Sequence, residues 1–499
     1  MQPVSLSQLR DLVGGVVHGD DSTQVRGLSL NSAAVQPGDL YAALPGARTH
    51  GARFAAAAAG SGARAVLTDP GGAAELHGVD VPLVVVDSPR EILGAASAAV
   101  YGHPAEQLVL VGVTGTQGKT TTTQLMAAGL AAAGRRTAVV GTLGTWIDQS
   151  PVASSLTTPE APDLHALFAV MVERGVDVCA LEVSSHSLVM GRVDGVVFDL
   201  AVFTNLGRDH LDFHPGMEAY FAAKAQLFTR QRARRALVNA DDEHGRRLLL
   251  EPEIDTRTFS STGRDADWTA RTRGTDGPGA AFDVAGPAGI RLPMSVAMPA
   301  AFNVANALCA LASVGELGLD VEAAAKGIAA APAVPGRMEK IERGQPFTVV
   351  VDYAHKPDAV TATLEALRLV TERQLVIVVG AGGDRDQGKR GLMGEIAARL
   401  ADVVVVTDDN PRSEDPGAIR AEIVAGTRTR RARARVVEVG DRRAAIARAL
   451  TAAGPGDTVL IAGKGHETGQ EVDVEVRPFD DREVAATVLD ELATVAGSQ

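Results

Sequence analysis

A glycine-bearing loop between a strand-like run and a helix-like run is the strongest chemical signal in the sequence. Residues 111–123 read VGVTGTQGKTTTT, an apolar run followed by a loop with Gly115 and Gly118, then by Lys119 and Thr120. Glycines let backbone N–H groups close around phosphate oxygens, the lysine can reach the β- and γ-phosphates, and the threonine hydroxyl can bind Mg²⁺. The loop is one residue longer than the common phosphate loop. The order strand, loop, helix nevertheless favours phosphate binding over a structural turn.

Two further polar side chains follow apolar runs in the same region. Glu182 ends the run VDVCALE, and His210 follows FDLAVFTNLGRD. Because the carboxyl ends of parallel strands meet at one edge of a sheet, both side chains could coordinate a hard cation beside the phosphate loop. Each residue alone is more typical of a solvated or capping position. Lys224, in YFAAKAQLF, has the spacing of an ordinary exposed helix lysine.

These residues require a parallel α/β framework, and the rest of the chain has the pattern of one. Apolar strand-like runs alternate with alanine-rich helical patterns almost throughout. The 499 residues are enough for about three domains. We predict an α/β fold with an N-terminal domain at 1–104, a central domain at 105–336 and a C-terminal domain at 337–499. Residues 262–290, rich in Gly and Pro, are interpreted as a weakly periodic insert.

Composition and charge exclude several classes of protein. A formal charge of −13 argues against a protein that coats nucleic acid, and the basic string RTRRARAR at 428–435 is more typical of a solvated helix face. No run reaches the ~18 apolar residues of a membrane span, and the first residues lack the pattern of a secretory signal. We therefore expect a cytoplasmic monomer that acts on small molecules, without nucleic acid or a membrane span. Cys179 and Cys309 lie in apolar runs and are expected to be buried thiols.

The assembled motifs resemble those of the Mur ligase family, whose members share TGTxGKTT, EVSSH, TNLxxDHLD, an AK helix, FNxxN and DYAHxP. They occur here in family order over nearly the whole chain, at residues 114–121, 182–186, 204–212, 223–224, 302–306 and 352–357. The resemblance implies an N-terminal UDP-binding α/β domain, a central P-loop ATPase-type parallel sheet and a C-terminal Rossmann-like domain that binds an amino acid. It also implies ATP-dependent amide-bond formation with Mg²⁺ as cofactor.

The resemblance assigns roles around the phosphate loop. It implies that Lys119, Lys224 and His210 are catalytic. It also implies that Lys224 is carbamylated, and a carbamate would turn a cation that repels Mg²⁺ into an oxygen ligand. The implied metal ligands are Thr120, Glu182, His210 and Lys224. The implied ATP contacts are Gly115, Thr116, Gln117, Gly118, Lys119, Thr120, Thr121, Asn303, Asn306, Arg337 and Asp352.

Another string indicates which amino acid the enzyme would take. DNPR follows the strand-like run ADVVVVTD and resembles the signature of the family members that add meso-diaminopimelate, whose second carboxylate an arginine can hold bidentately. The same string also satisfies an Asp-Asn-Pro turn. The implied diaminopimelate contacts are Arg390, Asp409, Asn410, Pro411, Arg412, Gly463 and Glu467, of which Glu467 would receive the distal ammonium group.

The first hundred residues resemble the family's uridine-binding domain through LNS at 30–32 and QPGDLYAALPGARTHG after it. The sequence departs from the family at Asn31 and Ala33, where Asp and Arg are more usual, and at Met190, which replaces a polar residue. The implied contacts with the UDP-linked substrate are Leu30, Ser32, Ala47, Arg48, Thr49, Thr157, Thr158, Ser184, Met190 and Arg192.

The implied reaction adds meso-diaminopimelate to UDP-N-acetylmuramoyl-L-alanyl-D-glutamate through an acyl phosphate, in peptidoglycan precursor synthesis. A lysine-adding relative or a ligase like the folylpolyglutamate synthetases is the alternative with the same chemistry. A P-loop ATPase or switch is the alternative from a different class, and nucleotide hydrolysis without an acceptor would favour it. The base that deprotonates the amine stays open among His186, His210, water and the product phosphate.

Overall fold

The computed structural model describes residues 2–46, 48–76, 78–153, 156–274, 279–429 and 433–497. Three large sheets, each flanked by helices, contain most of the strands, and most strand pairs in them are parallel. The predicted α/β fold is therefore confirmed. The proposed boundaries at residues 104 and 336 stay predictions.

The N-terminal sheet has five strands, and only the pairing of its first strand is antiparallel. Across the sheet the strands are Val16–His18, Leu83–Val85, Ala65–Thr68, Asp39–Ala43 and Gly27–Ser29. A small second sheet pairs Val4–Ser5 with Gln24–Val25. The helices are Leu6–Val13, Ala55–Gly60, Pro70–Glu75 and Pro89–Val100, with short 3-10 helices at Gly51–Phe54 and Pro104–Gln107.

The central sheet has eleven strands, parallel in the middle and antiparallel at both ends. In spatial order they are Ser150–Val152, Gly144–Ile147, Thr137–Gly141, Val178–Glu182, Val109–Thr114, Leu200–Phe203, Arg235–Asn239, Asp255–Ser260, Trp268–Gly274, Ala280–Ala285 and Arg291–Val296. The helices are Lys119–Ala132, Ala161–Glu173, Ser185–Val189, Met217–Ala225, Glu243–Leu248, Ala301–Glu316 and Val321–Ala330, and the 3-10 helices are Gln226–Phe228 and Pro287–Gly289. One hydrophobic core lies on each face of this sheet.

The interpretation of residues 262–290 as an insert was wrong. The strands Trp268–Gly274 and Ala280–Ala285 pair with each other and with Arg291–Val296, and so extend the central sheet. Phe282 and Val284 point into the core while Ala281 is exposed, which is the alternation of a strand with one buried face. The abundant Gly and Pro of the connecting segments concealed this period-2 pattern.

The C-terminal sheet has six strands, of which only Glu339–Lys340 pairs antiparallel. The others, in spatial order, are Thr348–Asp352, Thr458–Ala462, Leu375–Val379, Val403–Val406 and Arg435–Glu438. Five helices flank the sheet: Pro357–Arg368, Gly388–Leu400, Pro416–Thr427, Arg442–Ala452 and Asp481–Gly497. A hairpin of Gly469–Val472 and Glu475–Pro478 lies beside the DNPR segment, with Arg412 bridged to Val472.

The two cysteines and the apolar character of the helices were also the subject of predictions. Cys179 and Cys309 are free and buried, as predicted, and burial raises the pKa of the Cys179 thiol to about 12. Among the helices of the described residues, none combines the length and apolar character needed to cross a membrane.

A buried ion pair ties the last helix to the C-terminal sheet. Arg442 and Asp481 are both 0% exposed at their side chains and pair through two bonds of 2.7 and 2.8 Å. Arg442 also donates to the carbonyl of Ala462 at the end of a strand. Removing one member leaves a buried charge without its partner, which costs about 3–5 kcal/mol.

We therefore expect Asp481→Ala to lower the free energy of unfolding by about 3–5 kcal/mol, as measured by urea denaturation. Arg443→Ala is the matched control, because Arg443 pairs with Glu491 on the surface, where such pairs contribute about 0–1 kcal/mol. Equal stabilities for the two variants would show that the buried pair does not hold this helix.

Candidate functional site

The loop between Val109–Thr114 and Lys119–Ala132 has a backbone that only glycine fits at two places. Gly115 has φ +148° and Gly118 has φ +84°. A Cβ atom would lie 1.9 Å from Thr204 Oγ1 at Gly115 and 2.4 Å from Asn306 Oδ1 at Gly118. The glycines therefore allow neighbouring segments to approach the loop, and the N-terminus of the following helix faces the same space.

Lys119 begins that helix and folds back over the loop. Its ammonium group donates to the carbonyls of Gly115 at 2.8 Å and Thr116 at 3.2 Å. Burial, and then the nearby charge of Lys356, lower the pKa of Lys119 to about 8. A bound anion would favour the charged form of this lysine.

A cavity of about 660 Å³ opens in front of the loop and is lined by both the central and the C-terminal domain. Most of the predicted nucleotide contacts line it, namely Thr116, Gln117, Gly118, Lys119, Thr120, Thr121, Asn303, Asn306, Arg337 and Asp352. Gly115 lies at the base of the loop and does not line the cavity. A single space thus collects predicted nucleotide contacts from Thr116 to Asp352, which are far apart in the sequence.

The residues from the C-terminal domain are held by specific contacts. The Arg337 guanidinium lies 4.4 Å from the centre of the Tyr353 ring and donates to the Thr120 hydroxyl at 3.3 Å. Asp352 accepts from the Met338 N–H at 2.8 Å, and burial raises its pKa. Loop and C-terminal domain are therefore in direct contact across the cavity.

Three of the predicted metal ligands, Thr120, Glu182 and His210, line the cavity. Glu182 is 1% exposed and accepts from the backbone N–H and the hydroxyl of Thr142. His210 has φ +53° and pairs with Asp209 at 2.9 Å, while burial lowers its pKa. The hydroxyl and the carboxylate are oxygen donors of the kind that a hard cation prefers, and the imidazole nitrogen is a softer donor beside them.

These donors do not form a complete site by themselves. Within the described ranges, no three His, Cys, Asp or Glu side chains group closely enough to hold a metal ion. The predicted set includes only two such residues. Phosphate oxygens of a nucleotide and water molecules could supply the remaining ligands.

Lys224 is not the exposed helix lysine that its spacing suggested. It is 1% exposed, its ammonium group donates to the Gly115 carbonyl at 2.9 Å, and it lies 4.8 Å from the centre of the Tyr220 ring. Burial, and then the charges of Lys119 and Lys356, hold its pKa well below the ordinary value for lysine. Among the described residues, no carboxylate is within ion-pair distance of it.

The predicted contacts with the UDP-linked substrate fall into two groups. Thr157, Thr158, Ser184 and Arg192 line the cavity. Arg192 pairs with Glu160 at 2.8 Å and also donates to the Thr158 carbonyl at 3.3 Å and to Met190 Sδ at 3.5 Å.

The second group lies in the N-terminal domain. Leu30 and Ser32 follow the strand Gly27–Ser29, and Arg48 and Thr49 follow its parallel neighbour Asp39–Ala43, so both segments start from the same sheet edge. None of these four residues lines the cavity. Ala47 lies outside the described residues, and its predicted contact is left as a prediction.

The DNPR residues form a polar cluster beside the hairpin of the C-terminal domain. Asn410 donates to Glu467 at 2.9 Å and accepts from Lys464 at 2.8 Å. Gly463 approaches Asp409 so closely that a Cβ atom would lie 2.5 Å from Asp409 Oδ2. Glu467 also interacts with Tyr353, which lines the cavity. The predicted amino-acid residues are therefore close to the predicted nucleotide residues.

Two arginines of this cluster already have protein partners. Arg412, 21% exposed at its side chain, donates to Glu471 and to the Gly383 carbonyl, each at 2.8 Å. Arg390 is 0% exposed and donates to Glu414 and Glu422. Arg412 could exchange Glu471 for a ligand carboxylate at the surface of the site. A direct contact of Arg390 with an amino acid stays a prediction, because its guanidinium faces protein groups.

Sequence reasoning missed Asp209 and Lys356. Asp209 pairs with both His210 and Lys356, and Lys356 lines the cavity. The position of Asp209 beside His210, after an apolar strand, was a usable signal. Lys356 had none, because its partners lie more than a hundred residues away along the chain.

Comparison with known proteins adds three domain matches. Residues 24–101, 113–314 and 336–465 match the families described as Mur ligase family, catalytic domain; Mur ligase middle domain; and Mur ligase, glutamate ligase domain. The chain is 53% identical over 482 residues to UDP-N-acetylmuramoyl-L-alanyl-D-glutamate--2,6-diaminopimelate ligase of Streptomyces coelicolor, covering 96% of this chain and 95% of the relative. It is also 44% identical over 492 residues to UDP-N-acetylmuramyl-tripeptide synthetase of Leifsonia xyli, covering 97% and 96%.

A solved structure is similar to this chain over its whole length. It is a structure of UDP-N-acetylmuramoyl-L-alanyl-D-glutamate--2,6-diaminopimelate ligase, and this chain is similar to it with a TM-score of 0.66 and 32% sequence identity. The match covers 99% of this chain and 100% of the other.

Proposed function

The chain belongs to the Mur ligase family, and we propose that it is an ATP-dependent ligase that joins meso-diaminopimelate to UDP-N-acetylmuramoyl-L-alanyl-D-glutamate. The main support is the single cavity that contains the phosphate loop, the candidate substrate residues of the central domain and basic residues of the C-terminal domain. The Streptomyces relative, named for this reaction, supports the choice of substrates. The product would serve peptidoglycan precursor synthesis.

The reaction would proceed in two transfers. An oxygen of the D-glutamyl γ-carboxylate attacks the γ-phosphorus of ATP, the bond to the β-phosphate oxygen breaks, and ADP leaves. The amine then attacks the acyl carbon and inorganic phosphate leaves, with the amine proton passing to a base. Lys119 and the loop N–H groups offset the charge that gathers as carboxylate and triphosphate approach.

The cavity residues would hold Mg²⁺ through Thr120, Glu182 and His210, together with nucleotide oxygens. The ion would supply neutralisation of phosphate charge. We further propose that Lys224 carries a carbamate. Its neutral amine attacks carbon dioxide, an N–C bond forms, and a proton leaves to solvent. The resulting anion would lie beside Lys119 and Lys356, whose charges now lower the pKa of Lys224.

His186 is a poor candidate for the base that takes the amine proton. It stacks on Phe213 with 4.1 Å between ring centroids, and burial lowers its pKa to about 4. A neutral imidazole with so low a pKa is a weak base towards an ammonium group. The departing phosphate, a stronger base, would suit this role better.

Amino-acid choice is tested by a panel of acceptors. We would measure phosphate release from ATP in the presence of the UDP-muramoyl dipeptide and, in turn, meso-diaminopimelate, L-lysine, L-ornithine and L-glutamate. We expect rapid release with meso-diaminopimelate alone. Comparable rates with L-lysine would contradict the proposed substrate, and release that needs no acceptor would favour an ATPase.

Arg412→Ala tests the residue proposed to select that acceptor. Glu471 already pairs with Arg412, so the arginine keeps a partner when lysine occupies the site. The preference for diaminopimelate over lysine is therefore smaller than it would be if Arg412 were a buried charge without another partner. We expect a loss of about 1.5–3 kcal/mol, or roughly 10- to 150-fold in kcat/KM for diaminopimelate, as for a hydrogen bond to a charged group. The KM for ATP should not change.

The control is Arg443→Ala, an exposed arginine of the same domain. It should keep the activity and selectivity of the unmodified enzyme. Full diaminopimelate selectivity in the Arg412→Ala enzyme would mean that the DNPR segment is only a structural turn.

A further inference from the structure

Lys356 places a second ammonium group at the phosphate loop from the opposite domain. It follows the strand Thr348–Asp352 and caps the helix Pro357–Arg368. The residue is 9% exposed and lines the cavity. A lysine buried to this degree is uncommon unless it is paired, so its partners indicate what it does.

Both of its polar contacts are with the central domain. Its ammonium group lies 2.5 Å from Asp209 Oδ2 and 3.5 Å from the carbonyl of Thr116. Asp209 is shared with His210. An ion pair with Asp209 alone would explain how the two domains dock, but it does not explain the approach to the loop carbonyl.

The Thr116 carbonyl is also an acceptor for Lys119, at 3.2 Å. Two ammonium groups therefore converge on one neutral oxygen at the edge of a cavity. Like charges at such a distance repel each other, and an anion bound between them would relieve this. In the proposed reaction, the anion that binds at this loop is the triphosphate.

We propose that Lys356 is a second phosphate-binding lysine, delivered by the C-terminal domain, whose ammonium group binds the γ-phosphate of ATP and follows it to the substrate carboxylate. The inference rests on the proposed function and adds a catalytic residue to it. Lys356 has an electrostatic role and transfers no proton. While the bond to the carboxylate oxygen forms and the bond to ADP breaks, it offsets the negative charge on the transferring phosphoryl group.

The contact predicts a difference between two nucleotides. In the presence of Mg²⁺, Lys356→Met should weaken binding of the non-hydrolysable analogue AMP-PCP about tenfold while leaving ADP within about twofold, because ADP has no γ-phosphate. Titration calorimetry measures both. In single-turnover experiments the variant should transfer the phosphoryl group about a hundredfold more slowly. Lys340→Met, at an exposed lysine of the same domain, should match the unmodified enzyme in every measurement.

A purely structural role would give another result. If Lys356 only docks the domains through Asp209, AMP-PCP and ADP should weaken by equal factors, and that outcome would overturn the proposal. The double variant Asp209→Asn/Lys356→Met removes both charges of the ion pair, so no carboxylate is left unpaired. It replaces the single variant in these measurements if the single variant folds poorly. The double variant should still bind AMP-PCP about tenfold more weakly while binding of ADP changes little. If the unmodified chain showed no ligase activity but kept this contrast between nucleotides, the proposed function would fail and the γ-phosphate contact would stand.

Discussion

Lys119→Ala should lower kcat/KM for ligation on the order of a thousandfold while the protein stays folded. Among the described residues, the Lys119 ammonium group donates to the Gly115 and Thr116 carbonyls and forms no ion pair, and burial lowers its pKa to about 8. Its removal therefore takes away no ion pair that stabilises the fold. What is lost is the positive charge that would meet the β- and γ-phosphates.

Turnover is measured as the rate of phosphate release, and folding is checked by thermal unfolding monitored by circular dichroism. Lys326→Ala is the control, since Lys326 is an exposed lysine on the helix Val321–Ala330. Ordinary turnover by a folded Lys119→Ala enzyme would remove the phosphate-loop assignment. A loss of activity together with unfolding in this variant would show that the lysine is needed for stability instead.

Lys224→Ala should reduce turnover by about a hundredfold or more, and short carboxylates such as formate or acetate should restore part of it. The reason is that the variant lacks both the amine and its proposed carbamate, leaving a space beside the phosphate loop where a small anion fits. Burial, and then the charges of Lys119 and Lys356, lower the pKa of Lys224, which favours the neutral amine that reacts with carbon dioxide.

Lys224→Arg distinguishes a carbamate from a simple cation. Arginine keeps the positive charge but stays protonated, so it cannot take up carbon dioxide. We expect this variant to be as inactive as Lys224→Ala, and we expect bicarbonate to stimulate only the unmodified enzyme. An active Lys224→Arg enzyme would mean that the residue acts as a cation, and the carbamate proposal would be rejected.

The phosphate loop could be predicted from the sequence because its residues are neighbours along the chain. The strand, loop and helix around Lys119 occupy consecutive residues, and glycines at fixed places are required by the backbone itself. Glu182 ends one strand and His210 lies in the segment after the parallel strand Leu200–Phe203, so both could be predicted to lie at one edge of the sheet.

Residues whose role depends on tertiary contacts were harder to assign. Lys224 shares a helix face with the buried Tyr220, four positions earlier, and that spacing was a signal of burial that the apparent polarity of lysine outweighed. The partners of Lys356 and the pairing of Arg412 with Glu471 come from separate segments of the chain. A pattern of neighbouring residues contains no information about such contacts.

The most direct test of the account uses UDP-N-acetylmuramoyl-L-alanyl-D-glutamate with a heavy oxygen isotope in its γ-carboxylate. The labelled substrate is incubated with ATP, Mg²⁺, meso-diaminopimelate and the enzyme, and the phosphate and the nucleotide product are analysed by mass spectrometry. An acyl phosphate transfers a carboxylate oxygen to the released phosphate, so we predict labelled phosphate in proportion to the diaminopimelate-containing tripeptide. Unlabelled phosphate, released without tripeptide, would contradict the central claim that this cavity activates a carboxylate for amide formation.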